Sequence, residues 1–327
     1  MRSEPQRRTK VAIVGMGHIS RYQVSAIRQL ADVELVGAYD KKTFDKKGGG
    51  KRALPCRFYR SLDELIDKSP ADVVVVSTPN ADHFATASRL ISAGRAVLVE
   101  KPVCETLAEV KKLAALARAR KVFFHTALHA AFARDLEWWL ENRDRLARRF
   151  GPLTGFQMGF YDPYIERDGT VRDAARGLGG SWYDSGINAL SVLEKIADPG
   201  SIRVVSGRMF SSAGIACSQV RGTAQLECRV DGVACRGEID TDWMLGLNRK
   251  ITILSYARAS VILDHSAQTV VIRGPKTQSV SLQNGKSRLT NQYAGVFRDL
   301  AAYYARGKDN AATALRLHEL LFAAANA

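Results

Sequence analysis

The sequence predicts two domains: a doubly wound parallel sheet, followed by a second α/β domain with a large, mostly antiparallel sheet. Short β-branched runs alternate with helical segments up to residue 126, which is the pattern of parallel crossover units. After residue 130, long runs with a period of two dominate, as in antiparallel sheets. The 327 residues are enough for two ordinary domains. We therefore place the domains at residues 1–127 and 128–327.

Each element of the first domain has its own local signal. Residues 10–15 form an apolar strand, and a helix follows in which every third or fourth residue is apolar. A Gly/Lys-rich loop, KKGGGKR, follows the second strand. Ser61 and Glu64 then give a capping-box pattern, which predicts that a helix begins there. The strands are expected at 10–15, 33–40, 73–77, 95–99 and 121–126, and the helices at 17–31, 61–69, 81–94 and 105–119.

The second domain begins with a helix at 131–148, and Gly151-Pro152 then leads into a strand at 153–161. Another helix is expected near 185–196. Its sheet can leave one face free for another subunit, so we expect a homodimer or homotetramer formed through it. The β-rich runs are 202–212, 222–240, 250–257, 259–265 and 269–274, and the helical end comprises 291–308 and 314–327.

Bulk composition indicates a globular protein of the cytoplasm. The hydrophobic content is 46%, and no window approaches the roughly 18 consecutive apolar residues of a membrane span. The first ten residues, MRSEPQRRTK, do not resemble a secretory signal. The five cysteines are scattered and odd in number, which indicates a reducing compartment. Neither HExxH nor a His/Cys/Asp cluster occurs, so we expect no metal site. Because no long apolar window occurs, we also expect no membrane partner.

The net charge of +15 raises the question of an anionic partner. Basic clusters occur, but no aromatic-interleaved groove or recognition-helix motif joins them, so we expect no specific nucleic-acid binding. An anionic small-molecule substrate stays open, beside the alternative of a solvated basic surface.

The stretch VAIVGMGHIS indicates a dinucleotide-binding turn. Gly15 permits the tight turn after the strand, and Gly17 lets the backbone approach a pyrophosphate at the start of the helix. Ser20 replaces the third glycine of the usual fingerprint. Because the motif follows a strand and opens a helix, it predicts a Rossmann domain, with His18 and Ile19 also contacting the cofactor.

Asp40, at the end of the second strand, indicates the preferred cofactor. A carboxylate there can accept both hydroxyls of the adenosine ribose and repels a 2′-phosphate, which favours NAD. Lys41 and Lys42 could pair with that phosphate, so NADP stays open.

Two further strands end in polar residues and a proline. Ser77-Thr78-Pro79-Asn80 is expected along the nicotinamide ribose, because loops at the carboxyl ends of strands line the cofactor crevice. His83 is a cofactor contact or a structural residue of the following helix. In Glu100-Lys101-Pro102 the proline restricts Lys101 to an extended backbone, which directs its ammonium at the substrate. A lysine there can polarise a carbonyl or stabilise an alkoxide during hydride transfer.

The segment TPNADHFATASRLISAGRAVLVEKP resembles the signature of the Gfo/Idh/MocA oxidoreductases, and the resemblance extends over nearly the whole chain. It includes the glycine fingerprint, the Phe150-Gly151-Pro152-Leu153 entry to the second domain and the C-terminal helix. It implies an NAD(P)-dependent enzyme that oxidises or reduces a sugar-type group, with Glu100 and Lys101 beside the nicotinamide.

The family's second catalytic segment corresponds to GLGGSWYDSGINALSVLEKI. Asp184 stands at the acid position, and Asn188 replaces the usual histidine. Spaced four apart, the two residues are expected on one face of a helix, although Asp184 could also be an N-cap. Asp-x-Gly-Ile-Asn is similar to the aldose 1-dehydrogenase branch, the L-arabinose and D-galactose enzymes. This implies oxidation of a pyranose at C1 to a lactone, with Asp184 as the proton acceptor.

Other side chains are weaker candidates for substrate binding. His129 reaches the pocket or is structural, and Trp182 and Tyr183 stack on a sugar or belong to the core. Two functions compete with sugar oxidation: reduction of a keto sugar or imine, and a non-catalytic dinucleotide or ligand sensor. We expect Trp243 to be a packing or subunit-interface residue, and His265 and His318 to be scaffold residues. A polar loop that could cover the substrate contains Asp162, Tyr164, Arg167, Arg172 and Asp173.

Overall fold

The structure, a computed structural model, describes residues 7–42 and 56–327. The Gly/Lys-rich segment KKGGGKR therefore lies outside the described residues. The chain forms two compact units, and the first unit extends to Ala127 and resumes at Tyr293–Leu315. The second consists of Leu128–Gln292 and Arg316–Ala327. The sequence placed one continuous domain at 128–327, whereas the structure assigns 293–315 to the first unit.

A parallel six-stranded sheet forms the centre of the first unit, in the strand order β3-β2-β1-β4-β5-β6. The order reverses between β1 and β4, so the loops that follow these two strands meet at one edge. Residues 73–76, which are all valine, have no exposed surface. The strands are β1 Thr9–Val14, β2 Val33–Tyr39, β3 Arg57–Phe58, β4 Val73–Val76, β5 Ala96–Glu100 and β6 Phe124–Ala127, and the helices are α1 Ser20–Ile27, α2 Leu62–Lys68, α3 Asn80–Ser92 and α4 Leu107–Arg120.

The differences from the predicted elements are local. Helix α1 begins at Ser20, not at 17, because residues 15–19 form the turn after β1. Helix α4 continues to Arg120 and ends in a left-handed residue, Lys121, so β6 begins later than the predicted 121. The two-residue strand β3 carries no alternation and was not predicted.

The returning segment 293–315 covers the edge of this sheet. The Asn310 side chain accepts a hydrogen bond from the Thr126 N–H at 2.8 Å and donates to the Thr126 carbonyl at 3.0 Å. Asp309 accepts the N–H of Phe124 at 3.3 Å. These side chains satisfy backbone groups of β6 that a further strand would otherwise pair with.

An eight-stranded sheet forms the second unit, in the order β14-β13-β12-β11-β7-β10-β9-β8. Only β7 and β10 run parallel; every other neighbouring pair is antiparallel. The strands are β7 Leu153–Tyr161, β8 Arg203–Phe210, β9 Arg221–Val230, β10 Val233–Asp242, β11 Arg249–Tyr256, β12 Ala259–Asp264, β13 Thr269–Arg273 and β14 Gln278–Ser281. The helices of the C-terminal part are α5 Arg134–Phe150, α6 Ile187–Ile196, α7 Arg288–Ala305 and α8 Ala311–Asn326, of which α7 and α8 cross from one unit to the other.

The run 222–240, predicted as one β-rich segment, is the hairpin of β9 and β10. Its turn contains Asp231 and Gly232 with φ angles of 51° and 77°. Two consecutive residues with positive φ form the type I′ turn that the Asp-Gly pair favours. In β9 every second residue is buried, and the covered face packs against a core that includes Trp139, Trp182 and Leu190.

The predicted fold class is confirmed: a parallel sheet is followed by a mostly antiparallel one. Within the described ranges, no helix combines the length and apolar character that crossing a bilayer requires. The same ranges contain no group of three His, Cys, Asp or Glu side chains placed to bind a metal ion. Pairing of the sheet with another subunit stays a prediction.

Candidate dinucleotide and substrate sites

Gly15 is required by the backbone geometry of the turn after β1. Its φ is +95°, and a Cβ at this position would lie 2.5 Å from the carbonyl oxygen of Ser77. Its N–H donates to the carbonyl of Tyr39 at 2.8 Å. The turn therefore packs tightly between the ends of β2 and β4, where only glycine fits.

Gly17 has a different environment. No described atom lies within 4 Å of the position a Cβ would take, and its φ is not positive. Packing of the described residues therefore does not require glycine here, and the open backbone suits the close approach of a pyrophosphate. Ser20 supports the loop, since its hydroxyl donates to the Gly17 carbonyl at 2.8 Å.

Asp40 is bound to the glycine turn. Its carboxylate accepts the N–H of Met16 at 2.7 Å on one oxygen and the N–H of Lys42 at 2.9 Å on the other. A carboxylate has about four lone-pair sites, and these two bonds use one site on each oxygen. The side chains of Lys41 and Lys42 are exposed.

Arg21, which the sequence analysis missed, groups with His18 at the start of α1. Its guanidinium donates to His18 Nε2 at 3.0 Å and to the Tyr22 hydroxyl at 2.7 Å. Partial burial and the neighbouring guanidinium lower the pKa of His18. Ile19 is half-buried and immediately precedes the helix. The Arg21 guanidinium lies one helical turn beyond Gly17 and places a positive charge within the segment expected to bind pyrophosphate.

His83 has a structural role. It is 1% exposed, its Nδ1 lies 2.9 Å from the Pro102 carbonyl, and its Nε2 lies 3.0 Å from the Thr78 carbonyl. Burial lowers its pKa. Both nitrogens thus face backbone carbonyls of the protein, which corrects the expectation of a cofactor contact. The imidazole joins the loop after β4 to the loop after β5, while Pro79 is exposed and Asn80 is buried at the start of α3.

Glu100 is a buried carboxylate held by the protein itself. It accepts hydrogen bonds from Gln23 Nε2 and the Tyr293 hydroxyl, each at 2.7 Å, and from the backbone N–H of Lys101 at 3.2 Å. Burial raises its pKa. These contacts fix Glu100 and the backbone of Lys101, and the cofactor contact expected of Glu100 stays a prediction. Lys101 is half-buried, and its peptide bond to Pro102 is cis.

In the second unit, Asp184 lies within a π-helical turn, Trp182–Gly186. It is 7% exposed, and its N–H donates to the Gly180 carbonyl at 3.1 Å. The N-cap alternative is wrong, because α6 begins only at Ile187 and its N-cap is Gly186. Asn188 Nδ2 donates to the Asp184 carbonyl at 3.2 Å. Asn188 Oδ1 is buried without a hydrogen-bond partner in the described part of the chain.

Trp182 belongs to the core. It has no exposed surface, and its indole N–H donates to the Leu321 carbonyl at 2.9 Å. A Cβ on Gly222 would lie 2.8 Å from its side chain. Stacking of Trp182 on a sugar is therefore corrected to a packing role. Tyr183 is half-buried, with its ring centroid 5.1 Å from that of Phe322.

His129 forms a pair with Gln292, a residue that no sequence motif singled out. His129 Nδ1 donates to Gln292 Oε1 at 2.9 Å, and both residues are buried. Gln292 Nε2 has no hydrogen-bond partner among the described residues. The pair lies in the second unit, where the His129–Phe132 turn packs on α6, the helix that carries Asn188.

The predicted residues of the loop 162–181 differ in their exposure to solvent. Tyr164 is half-buried beside carboxylates: burial, then the negative charges of Asp184 and Asp162, raise its pKa. Its ring meets that of Trp243 edge-on at 5.1 Å, and Trp243 is fully buried, as its packing alternative required. Other predicted residues lie outside this group: Arg167, Arg172 and Asp173 are exposed, and His265 and His318 are buried scaffold.

Residues 9–128 match the model of the Gfo/Idh/MocA oxidoreductase family, described as an NAD-binding Rossmann fold. The first unit is an NAD(P)-binding Rossmann domain. The predicted cofactor class is thereby confirmed, and the family resemblance is supported over residues 9–128. The finer resemblance to the aldose 1-dehydrogenase branch is not singled out by this match and stays a prediction.

Two curated relatives illustrate the similarity. Glucose-6-phosphate 3-dehydrogenase of Bacillus subtilis is 34% identical over 105 residues, which is 31% of this chain and 28% of that protein. Trans-1,2-dihydrobenzene-1,2-diol dehydrogenase of Sus scrofa is 31% identical over 189 residues, covering 56% of this chain and 54% of that protein. The chain thus spans about half, or less, of the length of these relatives.

Solved structures share the fold over nearly the whole chain. An oxidoreductase from Agrobacterium radiobacter, in complex with NAD+, L-tartaric acid and magnesium, has a TM-score of 0.76 at 15% identity and covers 98% of this chain and 96% of its own. A point mutant of the 3-ketoreductase KijD10 from Actinomadura kijaniata, in complex with TDP-benzene and NADP, has a TM-score of 0.76 at 18% identity, and the match covers 98% of both chains. At these identities the likeness establishes the fold alone.

The two glycines of the turn are expected to respond differently to alanine. Gly17→Ala should leave the free energy of unfolding within about 0.5 kcal/mol of the wild type, because no described atom is near, yet weaken NAD(P) binding at least about tenfold. Gly15→Ala should reduce both stability and binding. Thermal unfolding and fluorescence titration with NADH and NADPH measure these effects. Equal affinity of Gly17→Ala and wild type would contradict the pyrophosphate assignment.

The stability of the first unit is expected to depend on pH through Glu100. Its pKa in the folded state is raised above the ordinary 4.5, so the folded state binds more protons than the unfolded state between those two values. The free energy of unfolding should therefore fall as pH rises through this window, and Glu100→Gln should remove that component. Tyr293→Phe should widen the window, because it removes a donor that favours the ionised form. Urea unfolding across pH 4 to 8 tests this, and a constant difference between wild type and Glu100→Gln would contradict it.

Proposed function

We propose that the protein is an NAD(P)-dependent oxidoreductase that transfers hydride between nicotinamide and a hydroxyl or carbonyl carbon of a sugar or sugar derivative. The observation that carries the proposal is Asp184, an almost completely buried carboxylate in a π-helical turn of a chain whose first unit binds NAD(P). A carboxylate held in one position is a suitable acceptor for the proton of a reacting hydroxyl.

In this proposal Lys101 and Asp184 serve one reaction. During oxidation Asp184 accepts the proton of the substrate hydroxyl, and the Lys101 ammonium stabilises the alkoxide as it develops. The contacts of Glu100 support this role, since they fix the backbone from which the Lys101 side chain extends. The bound dinucleotide supplies the hydride acceptor.

Asn188 and Gln292 orient the substrate in the same proposal. Asn188 Oδ1 and Gln292 Nε2 are buried polar atoms without a hydrogen-bond partner in the described part of the chain. Buried polar atoms of folded proteins are nearly always satisfied, so a ligand with both donor and acceptor groups suits them. A sugar provides such groups, because each hydroxyl can donate one hydrogen bond and accept others. Asparagine cannot exchange a proton, which leaves Asp184 as the base.

The finer proposal is oxidation of a pyranose at C1 to a lactone, supported by the Asp-x-Gly-Ile-Asn spacing of Asp184 to Asn188. Reduction of a keto sugar or imine is the second candidate, because the Lys101 ammonium can donate a proton to a forming alkoxide. A ligand sensor is less well supported, since a sensor needs neither Lys101 nor Asp184 as a proton-transfer group.

Turnover on defined substrates is the direct test. We expect reduction of NAD or NADP, followed at 340 nm, with at least one member of a panel of aldoses and their phosphate or carboxylate derivatives. Reaction of keto sugars with the reduced cofactor would instead identify the reductase. Tight dinucleotide binding without turnover in either direction would contradict an enzymatic function and support the sensor.

Variants of the two proposed catalytic residues give a second test. Lys101→Met and Asp184→Asn should each lower kcat by about 10²- to 10⁴-fold, because each removes a group that acts on the transferred proton or its charge. NAD(P) affinity should stay within about threefold of the wild type. Lys112→Met removes an exposed lysine of α4 and serves as the control for loss of charge. Wild-type kcat in either catalytic variant would refute its assignment.

A further inference from the structure

Lys250 is a buried lysine in the second unit that no motif identified. It lies on β11, is 5% exposed, and each of its three ammonium hydrogens has an acceptor. It donates to the Tyr161 carbonyl at 2.8 Å, to Asn248 Oδ1 at 2.7 Å and to the carboxylate of Asp162. A lysine satisfied in this way has one fixed orientation and has no free donor for solvent.

Asp162 extends this contact to the turn that carries Asp184. One carboxylate oxygen binds Lys250, and the other accepts the hydroxyl of Ser185 at 3.0 Å. Ser185 has no exposed surface and directly follows Asp184 within the π-helical turn. A chain of three side chains therefore runs from the middle of the sheet to the residue next to the proposed base.

The π-helical turn needs such support. A π turn accommodates an extra residue at the cost of regular helical hydrogen bonding, and these turns occur frequently at functional sites. The Trp182 indole binds the Leu321 carbonyl on one side of the turn, and Ser185 binds Asp162 on the other. Asp184 lies between these two anchored residues.

The stability of the fold alone does not explain why an ion pair is buried here. Burial lowers the pKa of Lys250, because the ammonium loses its hydration. The negative charge of Asp162 opposes this effect. Apolar side chains of similar volume often stabilise a core equally well or better, so retention of a buried pair calls for another explanation. Here the pair holds the carboxylate to which the Ser185 hydroxyl donates.

We propose that Lys250 is a positioning residue for Asp184 and that it acts through Asp162 and Ser185. The inference rests on the proposed function for the role of Asp184. The effect on the conformation of the turn does not depend on that function: without the Lys250–Asp162–Ser185 contacts, the turn loses its fixed conformation. Lys250 itself does not touch the substrate in this proposal.

Ser185→Ala is the primary variant, because it removes one hydroxyl and leaves the ion pair intact. The double variant Lys250→Met/Asp162→Leu removes both charges together and so leaves no buried charge unpaired. Arg249→Met is the matched control: it removes a cation from the adjacent residue of β11, whose side chain is 55% exposed and pairs with Asp264 at 3.4 Å.

The first measurement is amide hydrogen exchange by mass spectrometry on the full chain, which needs no substrate. Ser185→Ala and the double variant should accelerate exchange in residues 182–188 by about tenfold, because the turn opens more easily without its anchor. Arg249→Met should exchange as the wild type does. Unchanged exchange in both test variants would overturn the proposal, whatever their activity.

The second measurement separates positioning from stability. With a substrate from the sugar panel, both test variants should lower kcat at least about tenfold while KM stays within about threefold, the signature of a misplaced catalytic group. Faster exchange with wild-type kcat would also overturn the proposal. If the wild type turns over no sugar, the proposed function fails, and the exchange measurement alone decides whether Lys250 positions the turn.

Discussion

The buried carboxylate of Glu100 is the interaction on which the first unit's functional edge depends. Burying a carboxylate is unfavourable unless donors replace its hydration, and here an amide, a hydroxyl and a backbone N–H do so. Gln23 comes from α1, the helix that follows the glycine turn, and Tyr293 comes from the returning C-terminal segment. One carboxylate therefore fixes the dinucleotide turn, the Lys101 backbone and segment 293–315 together.

The second unit uses the same physical arrangement with other residues. In each unit a carboxylate is bound by protein donors. The residue proposed for chemistry either follows that carboxylate in the sequence or is adjacent to a residue that the carboxylate binds. Glu100 precedes Lys101 directly, while Asp162 holds Ser185, which follows Asp184. A rigid support of this kind keeps a reactive side chain in position without using that side chain for folding.

Local patterns were sufficient for the parallel sheet and for the glycine turn, because both depend on residues close in sequence. The all-valine strand 73–76 and the Gly15 turn are cases in which short-range sterics decide the outcome. The partners of Glu100 and Lys250 could not be predicted, since Tyr293 is 193 residues from Glu100 and Asp162 is 88 residues from Lys250. In KITILSYA, Lys250 occupies an alternating position whose burial the sequence alone does not reveal. Trp182 was ambiguous for the same reason, because its partner Leu321 lies in the last helix.

The predicted preference for NAD over NADP depends on how Asp40 is held. Its carboxylate accepts the N–H of Met16, which lies between the two glycines of the turn, so it cannot move away without releasing that turn. A 2′-phosphate would have to approach this fixed negative charge, and the exposed Lys41 and Lys42 can offset the repulsion only as solvent-screened charges. Ribose hydroxyls, in contrast, are hydrogen-bond donors that a carboxylate attracts. We therefore propose that NAD binds more tightly than NADP, and that this preference originates in the glycine turn proposed to bind the pyrophosphate.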